Sequence, residues 1–156
     1  MSFQPPTASK QGEFVSEYLL YLLAAASEAA SAQFHAHVRE NGLRVPEWRV
    51  LACLYDRDGA MITRLARLAL FEQSRLTRII AQMEDRGLVC RQGDPADRRR
   101  VRVFLTEDGR ALAERLVGDA RAHETVLLHQ LKDSDAARIK RALQALLTQL
   151  DPDTPE

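Results

Sequence analysis

The chain has 156 residues, 46% of them apolar and 28% charged, with 22 Lys+Arg set against 22 Asp+Glu. That length fits one ordinary domain with a real core. No apolar run approaches the ~20 residues a membrane span needs, and MSFQPPTASKQGEF at the start lacks the basic-then-apolar pattern of a secretory leader, so a cytoplasmic location is expected.

Residues 1–11, with Pro5 and Pro6, read as a disordered lead-in. From about Gln11 to Glu40, Phe14, Tyr18, Tyr21, Leu22, Ala25, Ala29 and Ala32 recur at spacings of three and four, which predicts a long helix. Gly42 suits a left-handed cap after it. Pro46 at a first helical position and Glu47 in the first turn predict a second helix to about Tyr55. DRDGA (Asp56–Ala60) reads as a turn.

Two helices follow closely. The first, from Ile62 to about Leu70, spaces Leu65, Ala66 and Ala69; the second, Gln73 to Arg86, spaces Leu76, Ile79, Ile80 and Met83 on one face. Gln73, Ser74, Arg75, Thr77, Arg78 and Gln82 fall mostly elsewhere. A short helix, a brief turn and a second helix with a polar outer face form a helix-turn-helix pattern. Gly87 stops the second helix. LVCRQ (Leu88–Gln92) and RVRVFLT (Arg100–Thr106) read as strands around Gly93, Asp94 and Pro95, a hairpin or wing. Thr106 suits the cap of a helix to about Leu131. Asp133 or Ser134 suits the cap of a last one, striped by Ile139, Leu143, Leu146, Leu147 and Leu150 and ended at Asp151-Pro152.

The expected fold is mainly α with a small β-hairpin wing, an α+β winged helix-turn-helix. Residues 45–106 form that core, residues 12–44 and 107–150 supply dimerisation helices, and 151–156 are a tail. Long amphipathic helices outside a small core need a partner, and a symmetric homodimer supplies one most simply.

Charge is unevenly spread. Residues 62–105 hold ten arginines against five carboxylates, while the rest of the chain is acidic to the same extent. A polyanion should therefore dock on the middle. On a helix that fits the DNA major groove, arginine pairs with guanine and glutamine with adenine. Gln73, Ser74, Arg75, Thr77 and Arg78 are the groove-facing candidates.

No catalytic motif is present: there is no Gly-rich phosphate loop, nucleophile motif or metal-hydrolase spacing, so no enzymatic role and no cofactor is expected. His35 and His37 point to different sides of a helix, and His123 and His129 are six apart, so no metal site is expected. Cys53 and Cys90 make no disulfide framework and read as small buried hydrophobes. The alternative is a redox-sensing regulator, which needs an exposed, low-pKa thiol. A small-molecule effector pocket between the first helix, the Trp48 helix and the helix after Thr106 would draw on Tyr21, Ser31, His35, Trp48 and Arg49. Trp48 and Tyr21 read more readily as core, and Arg49 could hold a carboxylate or equally pair with Glu28 or Glu47. A third reading makes the basic wing a protein-interaction module, although such a surface would more often expose apolar anchors.

DRRRVRVFLTEDG (Asp97–Gly109) carries the most specific pattern. From Val45 to Gly109 the chain resembles the MarR (multiple-antibiotic-resistance regulator) family of bacterial transcription regulators. Asp97, Arg99, Val103, Leu105 and Thr106 fill that family's wing motif, SRLTRI (Ser74–Ile79) resembles its recognition helix, and MEDRGLVCR (Met83–Arg91) resembles the strand entry after it. Two positions depart from the pattern: Leu70, where glycine is common, and Arg44, where threonine is. The resemblance implies a homodimer with two winged lobes on a pseudo-palindromic operator. It also implies repression relieved by a small ligand, often an aromatic acid. By the same resemblance, Arg99 reaches the minor groove, Arg98 joins it at phosphate or groove, and Asp97 orients the loop without touching DNA. Arg100 and Arg102 receive no assignment.

Overall fold

The helices form where apolar spacing and caps coincide. A computed structural model describes residues 14–150; the expected lead-in, the 151–156 tail and the Asp151-Pro152 stop lie outside the described residues. By its contacts the chain divides into two units, one up to His37 and one from Val38.

The first unit holds α1 (Phe14–Glu17) and most of α2 (Leu19–Glu40). The single long helix expected here is interrupted at Tyr18 only in name. The Tyr18 N–H donates to the Phe14 carbonyl and the Leu22 N–H to the Tyr18 carbonyl, at 2.9 and 3.0 Å. The Phe14 and Tyr18 rings stack 4.8 Å apart. Leu19, Leu20, Tyr21 and Leu22 are exposed.

In the second unit, α2 ends in a Schellman cap. Gly42 takes φ +76°, the Leu43 N–H reaches the Val38 carbonyl and the Gly42 N–H reaches that of Arg39. Helix α3 (Val45–Asp56) follows, with Pro46 one residue inside the expected first position. Strand β1 (Ala60–Met61) lies where only a turn was expected. Helices α4 (Ile62–Ala69) and α5 (Gln73–Asp85) make the helix-turn-helix, and β2 (Val89–Gly93) and β3 (Val101–Leu105) make the hairpin. The antiparallel sheet runs β1-β3-β2, with Ala60 opposite Val103 and Val89 opposite Leu105. Two residues are too few to show a strand period, and β1 exists because β3 offers it an edge. Asp58 pins this edge, accepting the Leu105 N–H at 2.8 Å and pairing with Arg110 at 2.5 Å.

The core joins Val50, Leu51 and Leu54 of α3, Leu65 of α4, Leu76, Ile80 and Met83 of α5, Val103 of β3 and Leu116 of the helix that follows, all inaccessible. Each fully buried leucine or valine contributes roughly 1.5–3 kcal/mol. Helix α6 (Glu107–Leu128) starts at Thr106, whose hydroxyl accepts the Gly109 N–H at 3.0 Å. Gly109 lies against the Leu88 carbonyl so closely that a β-carbon there would overlap it. Helix α7 (Asp133–Leu150) buries no residue. Its N-terminal turn hangs on the Lys132 carbonyl, so neither Asp133 nor Ser134 is the cap: both lie inside the helix. Ile139, Leu143 and Leu147 face out, and Lys140 pairs with Glu124 of α6 at 2.7 Å. The architecture is mainly α with a three-stranded winged helix-turn-helix.

Candidate nucleic-acid interface

Helix α5 buries Leu76, Ile79, Ile80 and Met83, so the helical period turns Gln73, Ser74, Arg75, Thr77 and Arg78 outward, and all five are exposed. The Thr77 hydroxyl donates to the Gln73 carbonyl at 2.9 Å, leaving its oxygen free to accept. Arg75 does not extend straight out; its guanidinium lies 5.0 Å from the centroid of the Phe71 ring.

The wing loop is braced from within. The buried Asp94 accepts the Ala96 N–H at 2.8 Å and the Arg102 Nε at 2.6 Å, while Arg102 also donates to the Gly59 carbonyl at 3.0 Å. The Ala96 N–H, and next Arg102, hold the Asp94 carboxyl below the usual range. Asp97 accepts the Arg99 N–H on its side chain and the Arg100 N–H on its carbonyl, at 3.0 and 2.8 Å. Its carboxylate meets Arg100 only loosely, at 3.6 Å with both groups in water, a pair of little energetic weight. With the backbone so held, Arg98 and Arg99 project into solvent, and neither has an ion pair among the described residues. Arg102, unassigned in the sequence, is therefore a brace.

Between the wing, α5 and the start of α4 lies an open groove of about 620 Å³. Gln73, Thr77, Thr63, Arg91, Arg99 and Arg100 line it. Arg91 is tied to Glu84 at 2.7 Å, which leaves Arg99 and Arg100 to set its positive potential. Ser74, Arg75, Arg78 and Arg98 lie outside this groove.

The residues proposed for an effector pocket do not form one set within either unit. Tyr21, Ser31 and His35 belong to the first, where Tyr21 is exposed and Ser31 donates weakly to the Glu28 carbonyl at 3.4 Å. Trp48 lines a shallow cavity of about 300 Å³ with Ala52 and Asp56 of α3 and Val117, Ala120, Arg121 and Glu124 of α6. Arg49 does not line it, nor does it pair with Glu47; its guanidinium stands 5.7 Å from the Phe71 centroid. Burial, and next the charge of Asp56, push the Cys53 thiol up to about 11 against the pull of Arg49. That leaves almost no thiolate at neutral pH. Cys90 is half-buried, with the Gln92 amide 4.0 Å from its sulfur.

Sequence reasoning missed the carboxylate beneath this surface. Glu47 is inaccessible, yet it accepts the Arg44 N–H at 2.7 Å, the Arg44 side chain at 3.0 Å and Arg86 on both oxygens at 2.9 and 3.0 Å. Arg86 also reaches the Gly42 carbonyl, and Arg44 the Gln82 side chain. One buried group thus ties the end of α2, the start of α3 and the end of α5. The signal was half a capping box: a glutamate three residues after a cap position, without the usual hydroxyl partner.

A model of the MarR family matches residues 43–101. The crystal structure of a MarR family transcriptional regulator from Silicibacter pomeroyi DSS-3 is 68% identical, with a TM-score of 0.82 over 90% of this chain and 100% of that one. The chain belongs to the MarR family. A second MarR structure, a Mycobacterium tuberculosis protein in complex with salicylic acid, is 30% identical with a TM-score of 0.66 over 82% and 95% of the two chains. The organic hydroperoxide resistance transcriptional regulator of Bacillus subtilis is 28% identical over 85% of this chain and 88% of its own length. The protein is accordingly a DNA-binding transcriptional regulator of the MarR type. Among the described residues no helix is long and apolar enough to cross a membrane, and no group of three or more side chains is set to hold a metal.

Proposed function

We propose that this MarR protein is a homodimeric repressor that binds a pseudo-palindromic operator and leaves it when a small aromatic acid binds. The observation that carries the DNA reading is the braced wing, whose backbone is tied down by Asp94 and Asp97 while Arg98 and Arg99 have no ion pair among the described residues. In this reading Gln73, Ser74, Arg75, Thr77 and Arg78 serve the major groove, Arg98 and Arg99 the adjacent backbone and minor groove, and Asp97 supports the loop. Residues 12–44 and 107–150 pair two copies, since Leu19 and Leu22 of α2 and Ile139, Leu143 and Leu147 of α7 are exposed. A two-fold dimer presents two recognition helices to two half-sites. The salicylic acid complex of the mycobacterial relative supports the ligand class.

The test is fluorescence anisotropy with duplexes tiling the DNA beside the protein's own gene. One duplex should bind in a salt-dependent way, two chains per site, and salicylate should release it. Failure of every duplex at low salt sinks the reading; a folded monomer on dilution sinks the dimer. The Bacillus relative favours a second signal, an organic hydroperoxide, acting through Cys90 because the Cys53 thiol is held protonated. Peroxide release that Cys90→Ser abolishes would establish it over the acid.

A further inference from the structure

Arg75 stands third in α5, where the helix dipole and unfilled N–H groups repel a cation, and that first turn contains no acidic side chain. Phe71 offsets this. The Arg75 guanidinium lies 5.0 Å from its ring centroid, and the guanidinium of Arg49, from α3, stands over the same ring at 5.7 Å. The backbone that carries the ring is held: the Phe71 N–H donates to the Ala66 carbonyl at 2.9 Å, closing the end of α4. Two guanidinium groups that share one ring repel each other, and neither has an ion pair with a carboxylate among the described residues. The result is a doubled positive charge beside the helix N-terminus, with no salt bridge to Glu72, the residue that precedes the helix, or to any other carboxylate among the described residues. Arg75 is also laid back against Phe71, in the turn before its own helix.

We propose that Phe71 is a positioning residue for DNA binding, holding Arg49 and Arg75 as a pair of phosphate-binding guanidiniums, so that the DNA surface extends onto α3. This rests on the reading of α5 as the groove helix, and it assigns Arg75 to phosphate rather than base. Phosphate contacts release counterions and are blind to sequence.

The experiment is operator binding by the full chain across a KCl series. Phe71→Leu keeps apolar bulk but loses the π face and should weaken binding about fivefold; Phe71→Tyr should restore it. Arg49→Ala should lower the salt slope by about one. Arg75→Ala should weaken operator and unrelated duplex in the same proportion. In an Arg49→Ala/Arg75→Ala background Phe71→Leu should change nothing. Undiminished affinity in Phe71→Leu, an equal loss in the double background, an unchanged slope in Arg49→Ala, or Arg75→Ala relaxing a single operator position would each overturn the proposal. Arg78→Ala and Arg99→Ala run alongside. If these weaken binding while the Phe71 and Arg49 variants do not, only this inference fails; if none does, the α5 and wing reading itself fails. Should Phe71→Leu not fold by thermal melt, the Arg49→Ala slope still decides.

Discussion

The joint around Glu47 and the tip of the wing are both built on arginines, and they put them to opposite uses. At the joint, Arg44 and Arg86 close on a carboxylate with no access to water. At the tip, Arg98 and Arg99 extend from a braced backbone with no carboxylate partner among the described residues. The same guanidinium is scaffold where a buried anion awaits it and contact surface where none does. Arg91 with Glu84 and Arg102 with Asp94 fall on the scaffold side. A variant at the joint should therefore act on stability, and a variant at the tip on DNA.

The largest effect should come from Glu47→Ala. It strips the cap from α3 and leaves Arg86 without its anion, at a cost of about 3 kcal/mol in urea unfolding, the lower end for a broken buried pair because both arginines can reach water. A loss below about 1 kcal/mol, the scale of an exposed pair, would erase the contrast with the tip. Acidity sharpens it further. Burial pushes the Glu47 carboxyl up, but hydrogen bonds from Arg44 and then Arg86 outweigh this and leave it below its ordinary value. A hydrogen bond from the Arg91 side chain, then its backbone N–H, lowers Glu84 likewise. Carboxyls lowered by folding contribute stability above their unfolded value, near ~4.3 for glutamate, and that stability is lost as pH falls through the folded value. Stability should thus decline on acidification below about pH 4.3, and Glu47→Gln should flatten the decline. An identical acid slope in that variant would refute the assignment.

At the tip, Arg99→Ala should weaken operator binding about tenfold, or about 1.4 kcal/mol, and reduce the salt slope by about one. Its unfolding free energy should stay within about 0.5 kcal/mol of the wild type. Arg102→Ala should do the converse first, lowering the melting temperature because Asp94 is left buried beside an empty site. If the two variants melt alike, base and tip are not distinct.

Much of this was legible in the sequence. The i, i+3, i+4, i+7 spacing of Leu76, Ile79, Ile80 and Met83 set the outer face of α5, and the alternation of Val101, Val103 and Leu105 set β3. Composition around Gly93–Asp94–Pro95 located the wing. What could not be read was which arginines turn inward. Arg86 and Glu47 are 39 positions apart, and only the packing of α3 on α5 brings them within 2.9 Å. Arg102 stayed unassigned because Asp94 reads as a turn former, while its second oxygen serves Arg102 across the hairpin. Strand β1 was hidden for a related reason: its two residues are strand only through their pairing with β3. Likewise Arg49 had no local sign of the Phe71 ring 22 positions away.

The smallest expected effect lies at the turn that joins α4 to α5. Leu70 departs from the family's common glycine, and the backbone has not adjusted to it: φ is 60° and ψ 47°, the one left-handed non-glycine among the described residues. Its N–H bonds the Arg67 carbonyl at 3.2 Å and the next N–H bonds Ala66, the cap that glycine ordinarily closes. A β-carbon there costs roughly 1 kcal/mol, and the side chain is 77% exposed, so little burial compensates. Leu70→Gly should therefore raise unfolding stability by no more than about 0.6 kcal/mol, the strain relieved less the roughly 0.4–1 kcal/mol of extra freedom glycine has when unfolded. It should leave operator affinity unchanged, because the backbone that carries the Phe71 ring keeps its own bond to the Ala66 carbonyl. Higher stability with weaker binding would mean that the Leu70 side chain itself touches DNA, and the contact surface would then reach past the α5 N-terminus into the turn.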